Sequence, residues 1–318
     1  MRNTARIVGA VAMTAAGIAV MLAGRQPSAA PAERVLRVAV SEADIEAIVK
    51  VVGGSDVSTF TLFSGCILRD GLDVDAAVRE KLARADVVAW TGFFNESRAI
   101  HAWLEGIPAE RRGTLTRPAW VDVSRNTKRV NVPVSACDGY VDLQFMPGDP
   151  FFWLNPENGA VIAANVADEL GRIRPERREY YAANAAAFAR ELGAHIERWK
   201  AELAPLEGLR VFSVQCGWQN FAQLGGPKLM SCRQGPATLR TPESLATQLA
   251  ASELDVILID PNTPPGYAEA CRRRTKAEVV IVPSSVASLT EAAQYPALFD
   301  TFVATLKAAA ARRRAGGP

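Results

Sequence analysis

Residues 174–203 read RPERREYYAANAAAFARELGAHIERWKAEL. Within them Tyr181, Ala185, Phe188, Leu192, Ile196, Trp199 and Leu203 recur at three- and four-residue spacing. At 3.6 residues per turn such positions share one face, so the run predicts an amphipathic helix. It holds no proline after Pro175 and a single glycine, Gly193. Its length is about 45 Å at 1.5 Å of rise per residue. A helix that long in a globular chain must lie along something large.

On either side the pattern changes period. Residues 35–40, 59–63, 87–90 and 119–123 are short, apolar and rich in β-branched residues, as strands are. Between them 45–52, 75–85 and 95–105 read as helices, the first stopped by Gly53-Gly54. Beyond the long helix, 210–214, 256–259 and 278–282 read as strands and 241–252, 266–275 and 297–311 as helices. Such alternation implies parallel sheets covered by helices on both faces. The expected fold is α/β: two parallel-sheet lobes bridged by one long rigid helix, with a ligand cleft between the lobes. The expected boundaries are 1–30 for a signal peptide, 31–173 for the N-terminal lobe, 174–204 for the bridging helix and 205–318 for the C-terminal lobe. Ligands of open α/β sheets bind outside the carboxyl ends of strands, so the loops there are the place to look. No internal repeat or low-complexity tract is visible.

The N-terminus is a separate matter. Arg2 and Arg6 precede an uncharged apolar run, 7–23, and Ser28-Ala29-Ala30 offers a small-residue cleavage site. That order is a secretory signal, which places the mature chain in the periplasm or otherwise outside the cytoplasm. The run is at the lower limit for a spanning helix, so an uncleaved anchor is the alternative. Arg25 follows Leu22-Ala23-Gly24 where a lipoprotein would have its acylated cysteine, so no lipid anchor is expected. The net charge of +2 gives no reason to expect nucleic acid as a partner.

The stretch Asp149-Pro150-Phe151-Phe152-Trp153-Leu154-Asn155-Pro156-Glu157-Asn158 carries a resemblance. It is similar to the Asp-Pro-His-x-Trp-Leu-Asp-Pro-Glu-Asn signature of the cluster A-I solute-binding proteins, the zinc- and manganese-capturing subunits of bacterial ABC importers. Weaker likenesses run from about residue 35 to 310: Ala83-Arg84-Ala85-Asp86-Val87-Val88, Pro175-Glu176 with Tyr180-Tyr181, Asn184 and Phe188, Thr241-Pro242-Glu243, and Ile259-Asp260-Pro261. The resemblance implies two lobes on one helix, a monomer, a metal site in the cleft, a membrane ABC permease as partner and no enzymatic activity. The implied cargo is one transition-metal ion, Zn, Mn or Cu. The alternative is a diverged member that has lost metal and serves as a binding or interaction protein for some other ligand.

The ligand positions of the resemblance are substituted here. The first histidine falls on Asp70, or on Arg69 with a one-residue shift. The second falls on Phe151, and one from the preceding loop near Phe145. The third ligand falls on Gln215 and the fourth, an aspartate, near Pro283-Ser284. The chain has two histidines, His101 and His195, and neither aligns to a ligand. The remaining strong donors near these loops are Asp70, Cys66, Cys137 and Cys216, with Gln215 a weaker oxygen donor; thiolates favour Cu(I) or Zn. Phe151, Trp218 and Ser284 are expected to line the cleft, although aromatic residues such as Phe152, Trp153 and Trp218 are more often core. Asp73, Asp138, Asp142 and Asp149 are also acidic loop residues, a pattern more common in turns and caps than in cation sites.

Five cysteines, Cys66, Cys137, Cys216, Cys232 and Cys271, cannot all pair with one another inside one chain. Export favours disulfides, and Cys216 with Cys232 is a candidate pair; Cys271 is expected to stay unpaired. No Gly-rich phosphate loop, nucleophile elbow or His-based metalloprotease motif is present. Titration of the unfolded, unreduced chain should find no more than three free thiols. Four or five would rule out an intramolecular disulfide.

Overall fold

In a computed structural model, the structure describes residues 34–62, 76–91, 119–130, 149, 151–214, 217–231, 241–289 and 294–315. Two four-stranded sheets emerge. The first is built from β1 (Leu36–Val40), β2 (Val57–Thr61), β3 (Val87–Trp90) and β4 (Ala119–Asp122), in the order β2-β1-β3-β4. The second is built from β5 (Arg210–Ser213), β6 (Lys228–Ser231), β7 (Val256–Ile259) and β8 (Glu278–Ile281), in the order β6-β5-β7-β8. Every pairing is parallel. Central strands are buried on both faces, which is why β7 reads Val-Ile-Leu-Ile without alternation.

The two sheets are registered by the same device. Asp86, just before β3, accepts from the Arg37 backbone N–H at 2.9 Å and from its guanidinium at 3.3 Å. Asp255, just before β7, accepts from the Arg210 backbone N–H at 2.9 Å and from its guanidinium at 3.4 Å. The backbone around each aspartate repeats the match: Asp86 N–H donates to Arg37 and Asp255 N–H to Arg210, while their carbonyls accept from Ala119 and Glu278. Each clip sits at the amino-terminal edge of its sheet, opposite the edge where ligands bind in such folds.

The helices are α1 (Ala43–Gly53), α2 (Ala76–Arg84), α3 (Pro156–Ile173), α4 (Arg178–Leu203), α5 (Trp218–Phe221), α6 (Pro242–Ala250), α7 (Tyr267–Arg274) and α8 (Tyr295–Arg314). The predicted bridging helix is α4, and all seven residues of its apolar stripe are buried. It begins later than residue 174. Arg174 has φ −128° and ψ 81°, because the ring of Pro175 disfavours helical backbone in the preceding residue. One tight turn, Pro175–Arg177, separates it from α3, which the apolar pattern does not reveal. α5 and the edge strand β6 are also unanticipated, and the helix read at 95–105 lies outside the described residues.

α8 closes the core across α4. Phe299 lies 5.2 Å from Trp199 and Phe302 stacks on Trp218 at 3.8 Å. Trp199 also donates its indole N–H to Asp300 at 2.7 Å. A smaller cluster under α6 and α7 includes Cys271. Among the described residues no helix is long and apolar enough to cross a membrane.

The start of α4 is tied to the first lobe by a carboxylate. Asp56 accepts from Arg177 at 2.6 and 3.1 Å and from the Tyr181 hydroxyl at 3.1 Å. The Arg177 guanidinium lies over the Tyr180 ring, 4.2 Å from its centre. Burial, aided by Asp56, pushes the Tyr181 hydroxyl up to about 12. Asp56→Ala should cost about 1–2 kcal/mol, the scale of partly exposed hydrogen bonds to a charged group, read as a lower urea midpoint. An unchanged midpoint would mean that α4 is held by its apolar stripe alone.

Candidate functional site

The carboxyl ends of the strands carry buried polar side chains. Ser41 follows β1, Thr91 follows β3 and Ser124 follows β4; Ser213 closes β5 and Asp260 follows β7. Asp260 organises its surroundings. It accepts from the Asn262 N–H at 2.8 Å, the Ser284 N–H at 2.8 Å and the Ser284 hydroxyl at 2.6 Å. The loop after β8 is thereby fixed to the loop after β7.

The stretch 149–158 is a hydrogen-bonded knot in this part of the chain. Asp149 is buried and accepts from the Phe151 N–H at 2.8 Å. Asn155 caps α3 by accepting from the Glu157 N–H at 3.0 Å, and Pro156 occupies the first turn, where its missing N–H costs nothing. Asn158 accepts from the Lys128 N–H at 2.8 Å and donates to the Lys128 and Phe152 carbonyls, each at 2.7 Å. Phe152, Trp153 and Leu154 are core. Glu157 pairs with Lys128 at 2.8 Å on the surface, and Lys128 holds its carboxyl below the usual range.

Three hydrogen bonds and one close backbone approach join this knot and α1 to the second half of the chain. Gln219 on α5 donates to Asp149. Gly217 has φ 110°, and a Cβ there would lie 2.7 Å from Leu154 and 2.8 Å from the Phe151 Cβ, so the two segments meet at glycine distance. Asp44, on the first turn of α1, accepts from the Val286 N–H at 2.8 Å. Burial pushes the Asp44 carboxyl up to about 6, against the opposing pull of the Val286 N–H, the Ser285 hydroxyl and the Trp153 indole. Tyr295, at the start of α8, donates its hydroxyl to the Trp153 carbonyl.

The expected metal donors Asp70, Cys66, Cys137, Cys216 and Gln215 lie outside the described residues, as do Phe145, Asp73, Asp138, Asp142, His101 and Cys232. Phe151 is half-buried, its ring 5.5 Å from that of Trp153. Trp218 lies in the core rather than on an open surface; it is 1% exposed. Ser284 is bound to Asp260. Cys271 is a free thiol in the core, and burial pushes its pKa up. His195 sits on α4 beside Arg198, 2.8 Å away, and Asp300, 3.7 Å away. Among the described residues no three His, Cys, Asp or Glu side chains gather to hold a metal. Asp44 and Gln219 were not singled out by their sequence context. An acid in a first helical turn is ordinary dipole complementarity, and only the tertiary neighbours show that this one is buried.

A family model described as "Zinc-uptake complex component A periplasmic" matches residues 38–309. The chain belongs to this family. The resemblance carried by the 149–158 stretch is therefore borne out. The high-affinity zinc uptake system protein ZnuA of Brucella abortus (strain 2308) is 26% identical over 165 residues, 50% of this chain and 49% of that protein. That of Paracoccus denitrificans (strain Pd 1222) is 44% identical over 62 residues, 20% of this chain and 19% of that protein. The match thus spans about half the length of the Brucella relatives. A crystal structure of a 138-173 deletion mutant of ZnuA with zinc bound is 17% identical, covers 87% of this chain and 98% of its own, and superposes with a TM-score of 0.67. The solute-binding protein FpvC of Pseudomonas aeruginosa, in complex with Mn2+, gives 16% identity, 87% and 98% coverage and a TM-score of 0.65. The fold is that of the ZnuA-type solute-binding proteins: two parallel-sheet lobes and a helical link.

In this family member the knot is structural whatever the cleft holds. Asn158→Ala leaves the buried Phe152 carbonyl and the part-buried Lys128 carbonyl and N–H without their partner and should cost about 1–3 kcal/mol. Glu157→Ala removes an exposed ion pair and should cost less than about 1 kcal/mol. Urea unfolding of the two variants checks the order. Equal losses would show that the Asn158 contacts are not what holds the knot.

Proposed function

We propose that this chain is the extracytoplasmic substrate-binding subunit of an ABC importer, with a divalent transition metal of the zinc and manganese class as its cargo. The observation that carries the reading is the family match over residues 38–309, which takes in both lobes and the helix between them. The buried polar groups at the strand carboxyl ends support it, because they mark the edge where open α/β sheets bind ligands. In this reading the lobes 31–173 and 205–318 hold the cargo between them and deliver it, as a monomer, to a membrane permease. One continuous helix, α4, entered through the Pro175–Arg177 turn, limits the hinge to small angles.

Phe151 occupies the place of the signature's histidine, and a phenyl ring donates nothing to a cation. The proposed donors are Asp70, Cys66, Cys137 and Cys216, with Gln215 a weaker oxygen contact. Thiolate and carboxylate together suit Zn, or Cu in its reduced form, better than Mn. Each cysteine must be reduced and deprotonated to serve, so binding should weaken as pH falls.

Calorimetric titration of reduced, metal-free protein with Zn, Mn and Cu(I) tests the proposal. One ion per chain should bind, Zn or Cu(I) more tightly than Mn, and Cys66→Ser or Cys216→Ser should weaken Zn at least about tenfold. Absence of heat for all three metals, with no metal retained on gentle purification, would overturn the metal cargo. It would leave a diverged member that binds some other partner.

A further inference from the structure

We propose that Asp44 is a protonatable latch between the two lobes, so that their separation is linked to pH independently of any cargo. The geometry carries this. Asp44 belongs to α1, beside the carboxyl end of β1, and its carboxylate accepts from the Val286 N–H at 2.8 Å in the segment after β8. The two residues flank different sheets, Asp44 beside the first and Val286 after the last strand of the second. Asp44 is 1% exposed, so the contact is sealed from water.

The surroundings contain little charge, and the Asp44 Oδ2 is buried without a hydrogen-bond partner. Ser285 and Val286 face it from the segment after β8, and Trp153 from the 149–158 knot. Neither of those segments bears a charged side chain at the contact. From α8 it is faced by Tyr295, a phenol held well above its ordinary range by burial and by Asp44 itself. The next charge on α8, Asp300, is engaged by Arg198 and Trp199. On its own helix start Glu42 is also buried, and Glu46 is held by Thr59, Thr61 and Lys50. The groups that act on Asp44 most strongly are therefore neutral donors and burial.

The sign follows from linkage. In the joined state burial makes the carboxyl harder to ionise, with its midpoint pushed up to about 6. If the segment after β8 withdraws, water reaches the carboxyl and its pKa returns toward the ordinary carboxylate value near 4. A proton is then bound more tightly in the joined state. Acid favours joining, and rising pH through 6 favours separation. The same two values predict that the opening constant rises about tenfold between pH 5 and pH 7.5.

Amide hydrogen exchange on reduced, metal-free protein reads this directly. After correction for intrinsic rates, protection of the Val286 amide should fall about tenfold from pH 5 to pH 7.5. It should also stay well below that of Ile257 in β7, which reports global unfolding. In Asp44→Asn the pH dependence of Val286 should vanish. A Val286 protection factor that ignores pH, or one that tracks Ile257 throughout, overturns the latch from the unsubstituted protein alone. So does the same pH dependence in Asp44→Asn. No metal is used, so failure here leaves the cargo proposal standing, and absence of metal binding leaves the latch standing.

Discussion

A single helix cannot bend sharply without breaking its own hydrogen bonds, and α4 is 26 residues of unbroken helix. Elements of both halves are placed against it. Its stripe from Tyr181 to Leu203 is an apolar surface that serves both halves of the molecule. α3 packs on it from the first half, where a Cβ at Gly159 would come within 2.7 Å of Leu192. α8 packs on it from the second, through Phe299 on Trp199. One continuous apolar cluster therefore runs from the first half of the molecule through α4 into the second. The Pro175–Arg177 turn and the Asp56 contacts stiffen one end of α4.

The second constraint is polar. Between the lobes, at the cleft edge, lie a glutamine bound to an aspartate, a tyrosine bound to a carbonyl and an aspartate bound to an amide. Buried polar groups are costly unless paired, so such contacts specify one docking geometry where apolar packing alone would tolerate several. The 149–158 stretch supplies a partner for two of the three. Its side chains cap α3, brace the Lys128 backbone and dock Gln219.

What the sequence disclosed follows from which signals are one-dimensional. The α4 stripe is pure periodicity, and every one of its seven positions is buried. The strands β3 and β7 were bounded correctly because their apolar runs stop at charged, polar or turn-forming residues. α3 went unread for a physical reason. Its buried face includes Asn158, Gly159, Asn165 and Gly171 among its aliphatics, so it shows no clean apolar stripe and holds poor helix formers. β6 is a four-residue edge strand, too short to stand out. Trp218 was ambiguous between core and cleft because composition does not distinguish them; its stacking on Phe302 does. Asp44 was invisible, since burial between lobes is a property of tertiary placement. The donor loops at Cys66, Asp70, Cys137 and Cys216 rest on the resemblance alone.

Arg37 with Asp86 and Arg210 with Asp255 make the same backbone and side-chain contacts at the same strand positions, although no sequence repeat joins the two halves. Each sheet thus fixes its own alignment at the end farthest from the cleft. Substitution, insertion or loss at the other end leaves that alignment untouched. Registration at one end and ligand contact at the other are separate demands on the same strands.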